Sequence, residues 1–141
     1  MLLLARFFMI MEEYIRSDEW KVMAEEVINE HEDLHWIKNS VRIDYVISFK
    51  EKKKSGGYVH AECKHISDFY QLYCPYDFVI VIYLPNIGHM TEEQKKILLY
   101  HELRHVDYRE SKEGEITYTI RPHDIEDFKN IIVQYGMDWA E

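Results

Sequence analysis

Apolar and polar residues recur along this chain in blocks whose period changes several times. After Ser17, Val22, Met23, Val27 and Ile28 keep helical spacing to about residue 31. Ser17 is a candidate N-cap, and Asp18 and Glu19 meet the positive end of the helix dipole. A polar connection through His31, His35 and Trp36 leads to residues 41–49, whose Val, Ile, Tyr and Phe read as a strand. Ser55-Gly56-Gly57 signals a turn, and residues 58–66 read as the returning strand of a hairpin. Residues 68–75 form a tyrosine-rich loop or short helix. Residues 78–84 are apolar throughout and stop at Pro85, the strongest strand signal in the chain.

Thr91-Glu92-Glu93-Gln94 then reads as a capping box that opens a second helix, with Leu99, Leu103 and Val106 as its apolar stripe. Residues 115–121 alternate Ile116, Tyr118 and Ile120 as a short extended segment. Asp124 caps a last helix with Ile125, Phe128, Ile132 and Tyr135 on one face, and Gly136 follows as its C′ residue. The order helix, hairpin, strand, helix, helix predicts a small α+β domain with helices packed on one mainly antiparallel sheet.

The second helix carries the chemistry. His101-Glu102-Leu103-Arg104-His105 is an HExxH sequence, and four residues make slightly more than one helical turn, so the two imidazoles stack and can reach one divalent ion. Glu102 projects from the edge of that face, within reach of a metal-bound water, as the general base of a zinc peptidase would. A chain this rich in His and Glu produces the motif by chance about once in twenty. Context separates it from chance: the capping box starts the helix in the right place, and both histidines lie well over 90° around the helix from the apolar stripe, by a rough count of 100° per residue. The helix buries one face and presents the histidines on another.

A catalytic zinc site takes three protein ligands and keeps one position open. His123 is the favoured third ligand, because the linker from His105 is long enough to fold back and Pro122 fixes the approach. Glu110, Glu113, Glu115 and His89 are the rivals. Tyr108, Tyr118 and Arg121 are candidate oxyanion or substrate donors. The strand Phe78, Val79, Ile80, Val81, Ile82 can offer an edge to which an extended peptide adds.

Composition narrows the field. With 141 residues, 47% apolar and 30% charged, the chain is read as one domain over 1–141, residues 1–16 being separable as an N-terminal segment. The net charge of −9 argues against a general nucleic-acid binder, and Lys50, Lys52, Lys53 and Lys54 read as a solvated hairpin tip. Cys63 and Cys74 have no metal-knuckle or redox spacing and suit reduced thiols in the cytoplasm. His60, Cys63 and His65 do not share one face of a strand, against a second metal site. The apolar start, Met1 to Met11, is too short to span a bilayer and lacks the basic region and cleavage site of a signal peptide; Met9 or Met11 can equally begin a shorter chain.

From Phe78 onward the chain resembles the putative phage metallopeptidase family: an apolar strand, the HELRHV helix, then His-Asp-x-x-x-Phe and a helix ending near Tyr135-Gly136-Met137-Asp138-Trp139. More distantly it is similar to the SprT-like zinc peptidases, where a third His precedes a Phe on the next helix. The resemblance implies a zincin-like domain with the HExxH helix beneath its sheet, one zinc per chain at His101, His105 and His123, and Glu102 as base. The peptidase reading takes a peptide or protein substrate and a cytoplasmic location, the host's cytoplasm if the chain is phage-encoded. Two other readings compete: a metal-binding interaction module without hydrolytic activity, and a regulatory peptidase acting on a single partner protein. Oligomeric state is not legible.

Overall fold

A computed structural model describes residues 13–123, and the expected last helix at 124–135 lies outside them. Strand β1 (Tyr14–Arg16) leads into helix α1 (Asp18–Glu30) and a 3-10 turn (Glu32–Ile37). Then come β2 (Ile43–Ser48), the short pair β3 (Lys53–Lys54) and β4 (Gly57–Tyr58), β5 (Ala61–His65) and β6 (Phe78–Tyr83). Helix α2 (Glu92–Leu103) and the hairpin β7 (Val106–Glu110) and β8 (Ile116–Ile120) complete the described chain. Residues 14–16, grouped by sequence with a separable segment, belong to the sheet as β1.

The main sheet runs β1-β2-β6-β5, with β1–β2 and β5–β6 antiparallel and β2–β6 parallel. Sequence reasoning expected the strand at 58–66 to return along the strand at 41–49. Instead β5 pairs with β6, and only Lys53–Lys54 and Gly57–Tyr58 close as a hairpin tip. The cause lies in β6. It buries Ile80 and Ile82 on one face and Val81 and Tyr83 on the other, and a strand apolar on both faces gains most at the centre of a sheet. The same fact corrects the expectation that Phe78, Val79, Ile80, Val81 and Ile82 offer a free edge: both edges of β6 are paired. Among the described residues, the outer edge on this side of the sheet belongs to β5.

Register converts the strand patterns into one core face. Ile47, Ile82 and Ala61 lie in one row across three strands, Tyr45, Ile80 and Cys63 in the next, and Ile43, Phe78 and His65 in the third. Both helices pack on this face and share its core. In α1 the buried stripe is Trp20, Met23, Ala24, Val27 and Ile28, whereas Val22, expected inside, is exposed. Ser17 caps α1 by accepting the Trp20 N–H at 3.2 Å. At the far end the His31 ring donates from Nδ1 to the Val27 carbonyl at 2.8 Å and stacks on Tyr100 of α2 at 3.8 Å.

Helix α2 has both arms of its capping box: Thr91 Oγ1 accepts the Gln94 N–H at 3.2 Å, and Gln94 Oε1 accepts the Thr91 N–H at 2.8 Å. Leu99 and Leu103 are fully buried and Val106 is 2% exposed, as their spacing predicts. The helix ends at Leu103, however, and Val106 opens β7. Asp33 in the 3-10 turn ties this end down, accepting from the Tyr100 hydroxyl at 3.0 Å and from Arg104 Nη1 at 2.8 Å.

Candidate metal centre

The β7–β8 hairpin brings the site together. Its register pairs Val106 with Ile120 and Tyr108 with Tyr118. One rung further back His105 faces Arg121: the Arg121 N–H donates to the His105 carbonyl at 2.7 Å. Two residues beyond that rung, His123 comes back over the end of α2. Its Nε2 lies 2.9 Å from Nε2 of His101. The ring centroids of His101, His105 and His123 are 5.2, 4.8 and 4.5 Å apart, and the three candidate ligand atoms all lie within 4.8 Å of one another. Glu110, Glu113 and Glu115 belong to the other end of the hairpin, and His89 packs near His60, so these rivals are not in the group.

The donor set fits a zinc ion. Zn–N bonds of about 2.0–2.1 Å at tetrahedral angles separate ligand nitrogens by roughly 3.4 Å, between the spacings seen here. The His105 ring is also pre-set: Nδ1 lies 2.6 Å from the Arg121 carbonyl, and a carbonyl only accepts, so Nδ1 carries the proton. In the neutral ring that leaves the lone pair on Nε2, the atom that can bind a metal. Backbone bonding of the remote ring nitrogen is the usual support of a histidine ligand.

Glu102 is 4% exposed, and its Oε2 lies 3.9 Å from His101 Nε2, beside the group of nitrogens but not among them. Its charge reaches Cys63 of β5. Burial pushes the Cys63 thiol well above its ordinary pKa and the Glu102 charge pushes it further, so this cysteine stays protonated near neutral pH. Both cysteines are free thiols. Among the described residues His60, Cys63 and His65 form no convergent ligand group.

A cleft of about 590 Å³ separates His101, Glu102, His105 and His123 from the outer edge of β5. Ala61, Glu62, Cys63 and Lys64 line it from the strand, and Lys52 and Lys54 from the hairpin tip. The backbone of β5 is directional here. Tyr83 N–H bonds to the His60 carbonyl and Ile66 N–H to the Asp77 carbonyl, so even-numbered residues aim their backbone groups at β6. The N–H and C=O groups of Ala61 and Cys63 therefore point outward, into the cleft.

The expected oxyanion donors sit elsewhere. Tyr108 rests on Trp36 with ring centroids 5.1 Å apart, the Tyr118 hydroxyl donates to the Ser40 carbonyl, and Arg121 Nε holds Asp107 at 3.3 Å. None of them lines the cleft. Arg121 contributes through its backbone, by orienting His105. Sequence reasoning missed the β5 edge and the ion pairs of Lys52 and Lys54 with Glu62; the Lys52-Lys53-Lys54 run was visible but carried no sign of its partner.

An α+β domain whose helix end and hairpin gather three histidines under a sheet edge has the layout of a metal-dependent enzyme. The chain matches the family model described as putative phage metallopeptidase over residues 12–141, and it belongs to that family. No curated protein and no solved structure matches it. No helix among the described residues is long and apolar enough to cross a membrane.

Proposed function

We propose that this protein is a zinc-dependent peptidase in which His101, His105 and His123 hold one zinc ion and Glu102 is the general base. The observation that carries the reading is the convergence of three imidazole nitrogens within 4.8 Å beside a buried carboxylate, in a cleft under a strand edge that is unpaired among the described residues. Zinc bound there would supply Lewis acidity, polarising a carbonyl and lowering the pKa of bound water to about 7.

The rest falls to the chain itself. An extended peptide adds to the outer edge of β5, exchanging backbone hydrogen bonds with Ala61 and Cys63, and so lies across the histidines. Glu102 takes one proton from water as its oxygen bonds to the scissile carbonyl carbon. It passes that proton to the amide nitrogen as the C–N bond breaks, and the second water proton then moves from the new carboxyl group to the amine, leaving a carboxylate and an ammonium.

The test is zinc content together with hydrolysis of a mixed protein digest read by mass spectrometry. The expected result is close to one zinc per chain and new termini that vanish with a chelator and in His123→Ala. Zinc bound at full affinity in His123→Ala would remove that residue from the ligand set. Full zinc loading with no new termini from any protein would make the domain a metal-binding module without hydrolytic activity.

A further inference from the structure

The β3–β4 tip does more than stand in solvent. Lys52, Lys54 and Lys64 all reach one carboxylate, Glu62, with Nζ at 2.5 and 3.3 Å from its Oε1 and 3.6 Å from its Oε2. Glu62 is well covered, and the three ammonium groups leave two positive charges in excess around it. The segment from Lys50 to Lys64 holds five lysines against two glutamates, in a chain whose net charge is −9. This corner lines the cleft that holds His101 and Glu102.

Strand geometry says which substrate side chains meet it. Along β5, Ala61 and Cys63 face the helices, while Glu62 and Lys64 face the opposite side of the sheet. A peptide strand paired with β5 shares this alternation, so every second side chain stands beside Glu62 and Lys64, next to Lys52 and Lys54. We infer that the cleft selects peptides with aspartate or glutamate at these alternate positions near the scissile bond, and that Lys52, Lys54 and Lys64 are the residues that select them. The inference rests on the peptidase reading only in taking the ligand to be a peptide strand. Glu62 acts as a positioning residue that holds the three ammonium groups together.

Two measurements on the full chain test this. Zinc-loaded Glu102→Gln protein is titrated, by fluorescence anisotropy, with two labelled decapeptides of one alternating design that carry Glu or Lys at every second position. The Glu peptide should bind about ten-fold tighter at low salt, and the preference should shrink as salt rises. It should fall to within about two-fold in Lys52→Glu/Lys54→Glu and partway in the milder Lys54→Gln/Lys64→Gln, with zinc content and thermal midpoint confirming that both variants fold. Wild-type cleavage of a proteome-derived peptide library should enrich Asp and Glu within two residues of the cut, and the double reversal should move that preference toward Lys and Arg. Equal binding of both peptides, or cleavage indifferent to acidic residues and to the reversal, overturns the inference while leaving the peptidase standing. An acidic preference in binding without any cleavage supports the inference and sinks the peptidase. A single-stranded oligonucleotide that displaces the Glu peptide at equal concentration overturns it in favour of a phosphate backbone.

Discussion

Replacing Glu102 with Gln separates catalysis from metal binding more sharply than any other single change. The side chain is 4% exposed, and its Oε2 sits 3.9 Å from His101 Nε2 without joining the group of three nitrogens. Gln keeps the shape and one carbonyl oxygen but cannot take a proton. Loss of a general base lowers a rate by about 10²–10⁴-fold, which is roughly 3–5 kcal/mol of barrier. The same change removes one negative charge beside the three histidines, and outer groups of this kind typically shift metal affinity by about 10–100-fold. Metal-free stability should move by no more than about 1 kcal/mol, or a few degrees in thermal midpoint for a domain of this size. The assay is single-turnover hydrolysis of a substrate found in the mixed digest, run beside zinc competition with a chelating indicator. Hydrolysis within about ten-fold of wild type would refute Glu102 as the base. A zinc loss as large as that of His123→Ala would instead make Glu102 a ligand.

Three further outcomes follow from the same geometry. Leu103→Ala empties a fully buried position between Glu102 and Arg104, and should cost about 2–5 kcal/mol in urea denaturation of the metal-free protein; a loss under about 1 kcal/mol would mean that the HExxH helix does not anchor the core. Gly114→Val forces φ near +84° on a β-branched residue where an added Cβ meets nothing within 4 Å, so the cost is the backbone's alone, about 1–2 kcal/mol, and Gly114→Asn should lose less than half of that; equal losses would point to sterics instead. Because burial first and Glu102 second raise the Cys63 thiol, its labelling by iodoacetamide should be slow at pH 8 and keep rising with pH beyond the range where a free thiol has levelled off. Glu102→Gln should speed that labelling, and an unchanged rate would place the Glu102 charge away from β5.

Local physics was enough for part of this molecule. The cap at Ser17, the capping box at Thr91 and Gln94, the buried Leu99 and Leu103, and the apolar strand at 78–83 are each set by residues within one or two turns of one another, and the sequence alone determined them. The pairing of His101 with His105 is of the same kind, since helical spacing alone brings the two rings together. Strand order was not, because β6 had to be weighed against every other strand for the central place, and its two apolar faces took it there at the cost of the expected hairpin and of its own edges. The site divides along the same line. His123 was a candidate by sequence, but its meeting with His101 depends on a β7–β8 register that pairs Arg121 with His105, a long-range fact. The ion pairs of Lys52 and Lys54 depend on Glu62, which only the pairing of β5 with β6 carries to them. Propensity and capping act over a few residues and can be read along a chain, whereas register and edge exposure arise from competition between distant segments for the same partner, and only the tertiary structure decides them.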